Sequence, residues 1–281
     1  MCLIWGVPYL LIRVAVRELT PATLVFGRTA LAALLLLPVA AGRGQLRQLG
    51  RHWLPLLAFA VIEIALPWLL LASAEEHLTS SLTGLLIAAV PLIGAVIATV
   101  TADDDRLGGR RLAGLLVGLA GVAAIVGVDV GGTSVAALAE IGGVAVSYAV
   151  GPIILSRYLS DLPSLGVIAA SVALCAIGYA PVAAFQLPSS VPSGRVLASV
   201  VALAVVCTAL AFFVFFALIA EAGPARAMVF VYVNPAVAAV LGVTLLSEKF
   251  TAGMGVGFAL VLAGSVLATR RSGIPVTIAE P

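Results

Sequence analysis

Apolar runs of about 20 residues follow one another almost end to end along this 281-residue chain, and no other feature restricts its fold so strongly. A helix needs about 20 mostly apolar residues to cross the roughly 30 Å hydrocarbon core of a bilayer. The runs cover residues 1–16, 22–41, 53–74, 78–101 and 112–128, then 135–155, 165–185, 196–220, 227–246 and 253–269. Each is continuously apolar, whereas the strands of a membrane barrel alternate faces over about 10 residues, so helices are the expected spanning element. The fold class this predicts is an all-α polytopic membrane protein of ten transmembrane helices.

Composition enters as a check. Hydrophobic residues make up 62% and charged residues 10%, against about 45–50% and about 25% in soluble domains. A soluble domain of this size could not hide that much apolar side chain, so lipid must solvate much of the surface. The net charge is +2, and the basic residues fall in short breaks between runs, which suits helix ends rather than a nucleic-acid stripe. Cys2, Cys175 and Cys207 are scattered within apolar runs without metal or redox spacing and read as small buried hydrophobes. His52 and His77 lie at span ends, which leaves no His-based zinc protease site, and no Walker-type phosphate loop is present. No enzyme constellation and no cofactor is expected. The run Asp103-Asp104-Asp105 reads as a solvated loop, because three adjacent carboxylates cannot all converge on one ion. The first run starts at Met1 without a basic n-region or a small-residue cleavage site. It reads as a short first span that a few upstream residues would complete.

Basic residues in short loops set orientation. With a cytoplasmic N-terminus, inside segments hold Arg43, Arg47, Arg51, Arg106, Arg110, Arg111, Arg157, Arg226, Arg270 and Arg271, and outside loops hold Arg17, Arg195 and Lys249. That bias predicts both termini and the 43–52 loop in the cytoplasm of a cell with this protein in its inner membrane.

The two halves match each other. At an offset of 144 residues Pro8 falls on Pro152, Arg13 on Arg157 and Pro91 on Pro235; after one gap Gly114 falls on Gly257 and Gly121 on Gly264. The gap lies in the loops Asp105-Arg106-Leu107 and Glu248-Lys249-Phe250, which match as acid, base, apolar. The units are residues 1–130 and 131–271, followed by a polar tail, 272–281. Each unit holds an odd number of spans, so the second must enter the membrane from the opposite side, giving the inverted repeat of secondary transporters with a substrate site near the midplane.

These residues also resemble a known family. The opening Trp5-Gly6-Val7-Pro8-Tyr9, Pro21 then Arg28 in span two, Ala74 followed by Pro91 in span four, and Asn234-Pro235 ahead of Ser247-Glu248-Lys249-Phe250 are similar to the drug/metabolite transporter superfamily in its EamA-type branch. The resemblance covers nearly the whole chain. It implies two five-helix repeats, a transporter that is often an exporter of amino acids, drug-like compounds or other metabolites, and a central cavity lined by spans one, three, four, six, eight and nine. The chain departs from many relatives in carrying three acids, Asp103 to Asp105, where one closes span four.

Several residues are candidates for the substrate cavity or for coupling. Pro91 and Pro235, with Tyr232 and Asn234 just ahead of the latter, should each kink a span at repeat-equivalent positions, serving either a cavity or helix packing. Pro8 and Pro152 form a second equivalent pair beside Trp5, Tyr9 and Tyr148, whose rings belong either to an interfacial belt or to a substrate site. Arg28, and Arg13 near the outer end of span one, serve either as headgroup anchors or as ligands of an anionic group. Glu63 stands near the centre of span three, roughly 15 Å from either surface at 1.5 Å per residue. A carboxylate there faces water or a polar partner. Gly114-x-x-x-Gly118 and Gly253-x-x-x-Gly257 allow close helix packing, either between the halves or across a homodimer.

Overall fold

Even-numbered helices of this chain begin alike. In the computed structural model, which describes residues 1–101, 109–127, 134–223 and 228–269, the apolar helical stretches in chain order are α1 Cys2–Ala15, α2 Pro21–Gly42, α3 Leu49–Ala74, α4 Ser80–Ile97, α5 Gly109–Gly127, α6 Val135–Tyr158, α7 Ser164–Phe185, α8 Gly194–Ala222, α9 Phe230–Leu246 and α10 Ala252–Thr269. Eight of them are long and apolar enough to cross a bilayer; α1 and α9 are shorter. No strand occurs among the described residues. Thr20, Thr79, Ser134, Ser193 and Thr251 each accept from a backbone N–H of the first turn of α2, α4, α6, α8 and α10, at 3.2–3.4 Å. A hydroxyl cap satisfies a donor that the helix itself cannot. In an up-and-down bundle the even helices all start at one end, so all five caps sit there. This is the capped end of the bundle.

Packing repeats the internal symmetry. α2 lies on α7, α5 on α10 and α4 on α9, while α3 pairs with α6 and α8 with α1. Exchanging the two halves maps each of these pairings onto itself or onto another of them. The pairing of α5 with α10 shows the rule at residue level. A Cβ at Gly114 would stand 2.5 Å from the Ala268 nitrogen and 2.8 Å from the Gly264 carbonyl, and one at Gly121 would stand 2.6 Å from the Gly257 carbonyl. Gly114 and Gly257 are repeat equivalents, as are Gly121 and Gly264, so the two contacts are images of each other. Only glycine lets the backbones approach this closely. Gly118 serves two neighbours: a Cβ at Gly264 of α10 would overlap its backbone nitrogen, and its own Cβ position faces the Leu92 side chain of α4; Gly253 is the second residue of α10.

Two buried clusters form the core. One gathers α1, α4, α6 and α8 around Ile12, Leu85 and Leu203; the other gathers α2, α3 and α7 around Leu36, Phe59 and Val167. Large apolar side chains such as Leu34, Leu119, Ile177 and Leu245 point outward and are exposed, as expected where lipid is the solvent.

Candidate functional site

Both α3 and α8 are widened by a π-helical turn, Ala60–Ala65 in one and Val205–Leu210 in the other, at positions that correspond within one residue between the repeats. Their local causes differ. In α3, Pro67 has no N–H to give the Glu63 carbonyl and its ring crowds that turn, and the Leu66 N–H reaches back five residues to Val61. In α8 no proline intervenes; Thr208 Oγ1 donates to the Leu203 carbonyl, five residues back, at 2.8 Å.

Glu63 stands in the first of these turns and its side chain lies directly on α6, where a Cβ at Gly151 would overlap the carboxylate. Glu63 Oε2 is buried with no hydrogen-bond partner among the described residues. The seam continues through Gly143, which receives Leu70, to Ser73, whose hydroxyl donates to Glu140 Oε1 at 2.7 Å. Small residues at 143, 147 and 151 thus open α6 to α3, the spacing that lets membrane helices approach.

Arg28 enters the same centre from α2. It is buried, its Nε donates to Thr208 Oγ1 at 3.0 Å, and its guanidinium carbon stands 3.5 Å from the centroid of the Trp68 ring. It does not reach the headgroups. Tyr148 sits within electrostatic reach of both Arg28 and Glu63, and Tyr9 within reach of Arg28. Trp5 and Tyr9 likewise face inward. The Trp5 indole donates to the Cys207 carbonyl at 3.3 Å and its ring packs on Phe212, Phe215 and Phe230, while Tyr9 is buried beside Gly84. Neither forms an interfacial belt.

The prolines act at helix starts more than as mid-helix kinks. α1 breaks at Val7 and Pro8 opens its second segment. In α4 the first segment ends at Ile87 and Pro91 lies at the second position of the next, Val90–Thr101. A 3-10 turn, Met228–Tyr232, leads into α9 and includes Tyr232, and Pro235 lies in the first turn of the helix Asn234–Leu246. With its amide nitrogen turned toward them, Asn234 bridges the Cys2 and Phe230 carbonyls at 3.2 and 3.0 Å. Pro152 lies inside an unbroken α6 and is exposed, so it departs from the expectation for its equivalent, Pro8.

At the capped end, polar contacts join the two halves. Glu248 accepts from the backbone N–H and hydroxyl of Ser80, at 2.8 and 3.0 Å, and from those of Ser81, at 2.9 and 2.6 Å. Ser247, in the left-handed region at φ 56°, turns the chain so that Glu248 can do so. Glu18 accepts from the Ser193 N–H and hydroxyl, both at 2.7 Å, which hold its carboxyl below the usual range, and Thr20 donates to Gln186 at 2.8 Å. Arg13 donates to the Glu75 carbonyl; the Glu75 carboxyl is fully buried without a hydrogen-bond partner among the described residues, and burial pushes it well above the usual carboxylate range. Glu75, Glu140 and Glu248 were not legible as site residues, being acids at or near span ends, where charge is ordinary.

A cavity of about 590 Å³ opens between α4, α5 and α6, walled by Leu86, Leu92, Leu119, Val122, Ile141 and other apolar groups. It shares no lining residue with the Glu63 and Arg28 centre. A polar cleft of about 550 Å³ at the opposite end is lined by Arg47, Arg51, His52 and Asp161. No three metal-ligating side chains converge among the described residues. The Asp103 to Asp105 run, Arg106, Arg226, Arg270, Arg271 and the 272–281 tail lie outside the described residues.

The sequence profile of the EamA-like transporter family matches this chain twice, over residues 1–127 and 138–270. No curated protein gives a significant match. A solved crystal structure of a protein is similar, with 22% identity, a TM-score of 0.67 and coverage of 95% of this chain and 93% of its own; at that identity the likeness speaks to fold alone.

Proposed function

Because the chain belongs to the EamA-like transporter family, we propose that it is a secondary transporter of a small molecule, working by alternating access between two inverted five-helix repeats. The observation that carries this reading is where the repeats hold each other. Among the described residues, their mutual hydrogen bonds gather at the capped end and around the centre, while toward the opposite end α1 and α9 share only the Asn234 to Cys2 carbonyl bond and the 43–52 loop meets the start of α7 by packing. A molecule latched at one end over a buried polar centre fits one half of an alternating-access cycle. The basic bias of the loops assigns the capped end to the outside and the termini to the cytoplasm of the inner membrane. The conformation described is then closed toward the outside.

Within this reading Glu63, Arg28 and Tyr148 form the polar part of the path, while Trp5, Tyr9, Tyr232 and Asn234 flank it. Glu63, held in a widened turn against Gly151, serves as the coupling carboxylate, exchanging a proton as cargo enters and leaves. The cargo class, a metabolite or drug-like compound, and the outward direction follow from the family more than from the site. Counterflow in proteoliposomes tests the proposal: saturable uptake of labelled solute should be driven by unlabelled solute inside. Flux that neither saturates nor shows counterflow indicates a channel, and no flux at all indicates a membrane scaffold.

A further inference from the structure

We infer that the cargo carries a carboxylate that docks on Arg28, an inference that rests on the transport reading above and names a chemical class for it. Arg28 is 6% exposed, so it does not snorkel to a headgroup. Among the described residues no carboxylate forms an ion pair with it, and its only hydrogen bond is the one from Nε to Thr208. A cation kept inside a membrane protein with no counter-ion is expensive, and such residues mark paths for substrates or ions. A mere pin between α2 and α8 could be a neutral donor.

The mounting also points to a fork. Thr208 spends its own proton on the Leu203 carbonyl, which fixes its lone pairs toward Arg28 Nε. Trp68 holds the guanidinium at 3.5 Å from its ring centroid. With Nε engaged and Trp68 beneath, the edge carrying both Nη atoms remains, and two parallel N–H groups match the two oxygens of a carboxylate. Charge favours a monoanion over a phosphate. Arg13 is engaged with the Glu75 carbonyl toward the capped end, so one positive charge serves this centre. Glu63, the other charged residue within electrostatic reach of Tyr148, is itself an acid and offers an anion no partner, which leaves Arg28 as its place.

The test uses the full chain in detergent and in proteoliposomes, with acid and amide pairs as probes: phenylacetate with phenylacetamide, leucine with leucinamide, and inorganic phosphate as a further anion. At least one carboxylate should raise the melting temperature and its amide should not, and Arg28→Gln should abolish that preference. Arg28→Lys, which keeps the charge and loses the fork, should fold with a somewhat lower ligand-free melting temperature, because the Nε bond to Thr208 goes with it, and bind the acid at least about tenfold more weakly; it gives the answer if the Gln variant does not fold. The inference is overturned if no carboxylate stabilises the wild type at 10 mM, if amides or phosphate do as well as the acids, or if either folded variant keeps the full acid preference. Flux indifferent to Arg28 sinks this inference and leaves transport standing. Arg28-dependent binding without flux does the reverse.

Discussion

Glu248→Gln should release the capped end. The Glu248 carboxylate takes four hydrogen bonds from Ser80 and Ser81, between 2.6 and 3.0 Å, and thereby ties the loop after α9 to the first turn of α4. Gln keeps the shape but has one acceptor oxygen, so two of the four donors face an NH2 group. Each lost bond to a charged acceptor is worth about 1.5–3 kcal/mol. Glu248 is only half-buried, so the lower figure applies, and two bonds amount to about 3 kcal/mol, or roughly a hundredfold in the ratio of latched to released molecules. Spin labels at the exposed positions Glu76 and Lys249, in a background lacking the three cysteines, straddle this contact. The wild type should give one short distance, and Glu248→Gln should add a longer component at the expense of the first. An unchanged distance distribution in a folded Gln variant would show that these bonds do not hold the two halves together.

Other outcomes follow from the same geometry. Gly114→Ala should lower the melting temperature through about 1–3 kcal/mol of overpacking, because its Cβ meets the backbone of α10; Gly178→Ala, with open space around it, should not, and equal melting of the two variants would refute the close approach. Gly151→Ala should displace the Glu63 carboxylate and impair both stability and flux, and adding Glu63→Ala should restore stability but not flux, measured by thermal melts beside counterflow. Glu63→Gln alone should fold normally and lose most transport with its pH dependence. The Glu18 contact has a definite sign: its carboxyl lies below the ordinary value of 4.5 when bonded to Ser193, so its contribution is fully present above that value and fades as pH falls through the lower, bonded one. Distances across the capped end by spin labelling should therefore lengthen only in acid, and Glu18→Gln should remove the acid dependence.

The succession of apolar helices was legible because apolar length is a direct requirement of the bilayer, and the duplication of the halves because Pro and Gly leave marks at fixed offsets. Gly114, Gly121, Gly257 and Gly264 matched in sequence and are found in reciprocal contact. The widened turns were not legible. AVIEIA and VVCTAL contain no breaker, and one bulge is induced four residues downstream by Pro67 while the other rests on a threonine hydroxyl. The proline pair at 91 and 235 pointed to breaks in α4 and α9, but a missing N–H disturbs the preceding turn, so the breaks fall ahead of the prolines. Arg28 and Tyr9 were ambiguous between interface and interior because depth along a helix says nothing about which face a residue occupies. That depends on packing partners far away in sequence, such as Thr208 for Arg28.

Alternating access itself is tested most directly by locking the capped end. Glu18 and Ser193 are joined by two hydrogen bonds of 2.7 Å across the repeats, so cysteines at both positions, in a background lacking the native three, should form a disulfide on oxidation. Counterflow in proteoliposomes should fall to background in proportion to the cross-linked fraction and return on reduction. Full flux through fully cross-linked protein would contradict the account, because cargo would then cross without this end ever opening.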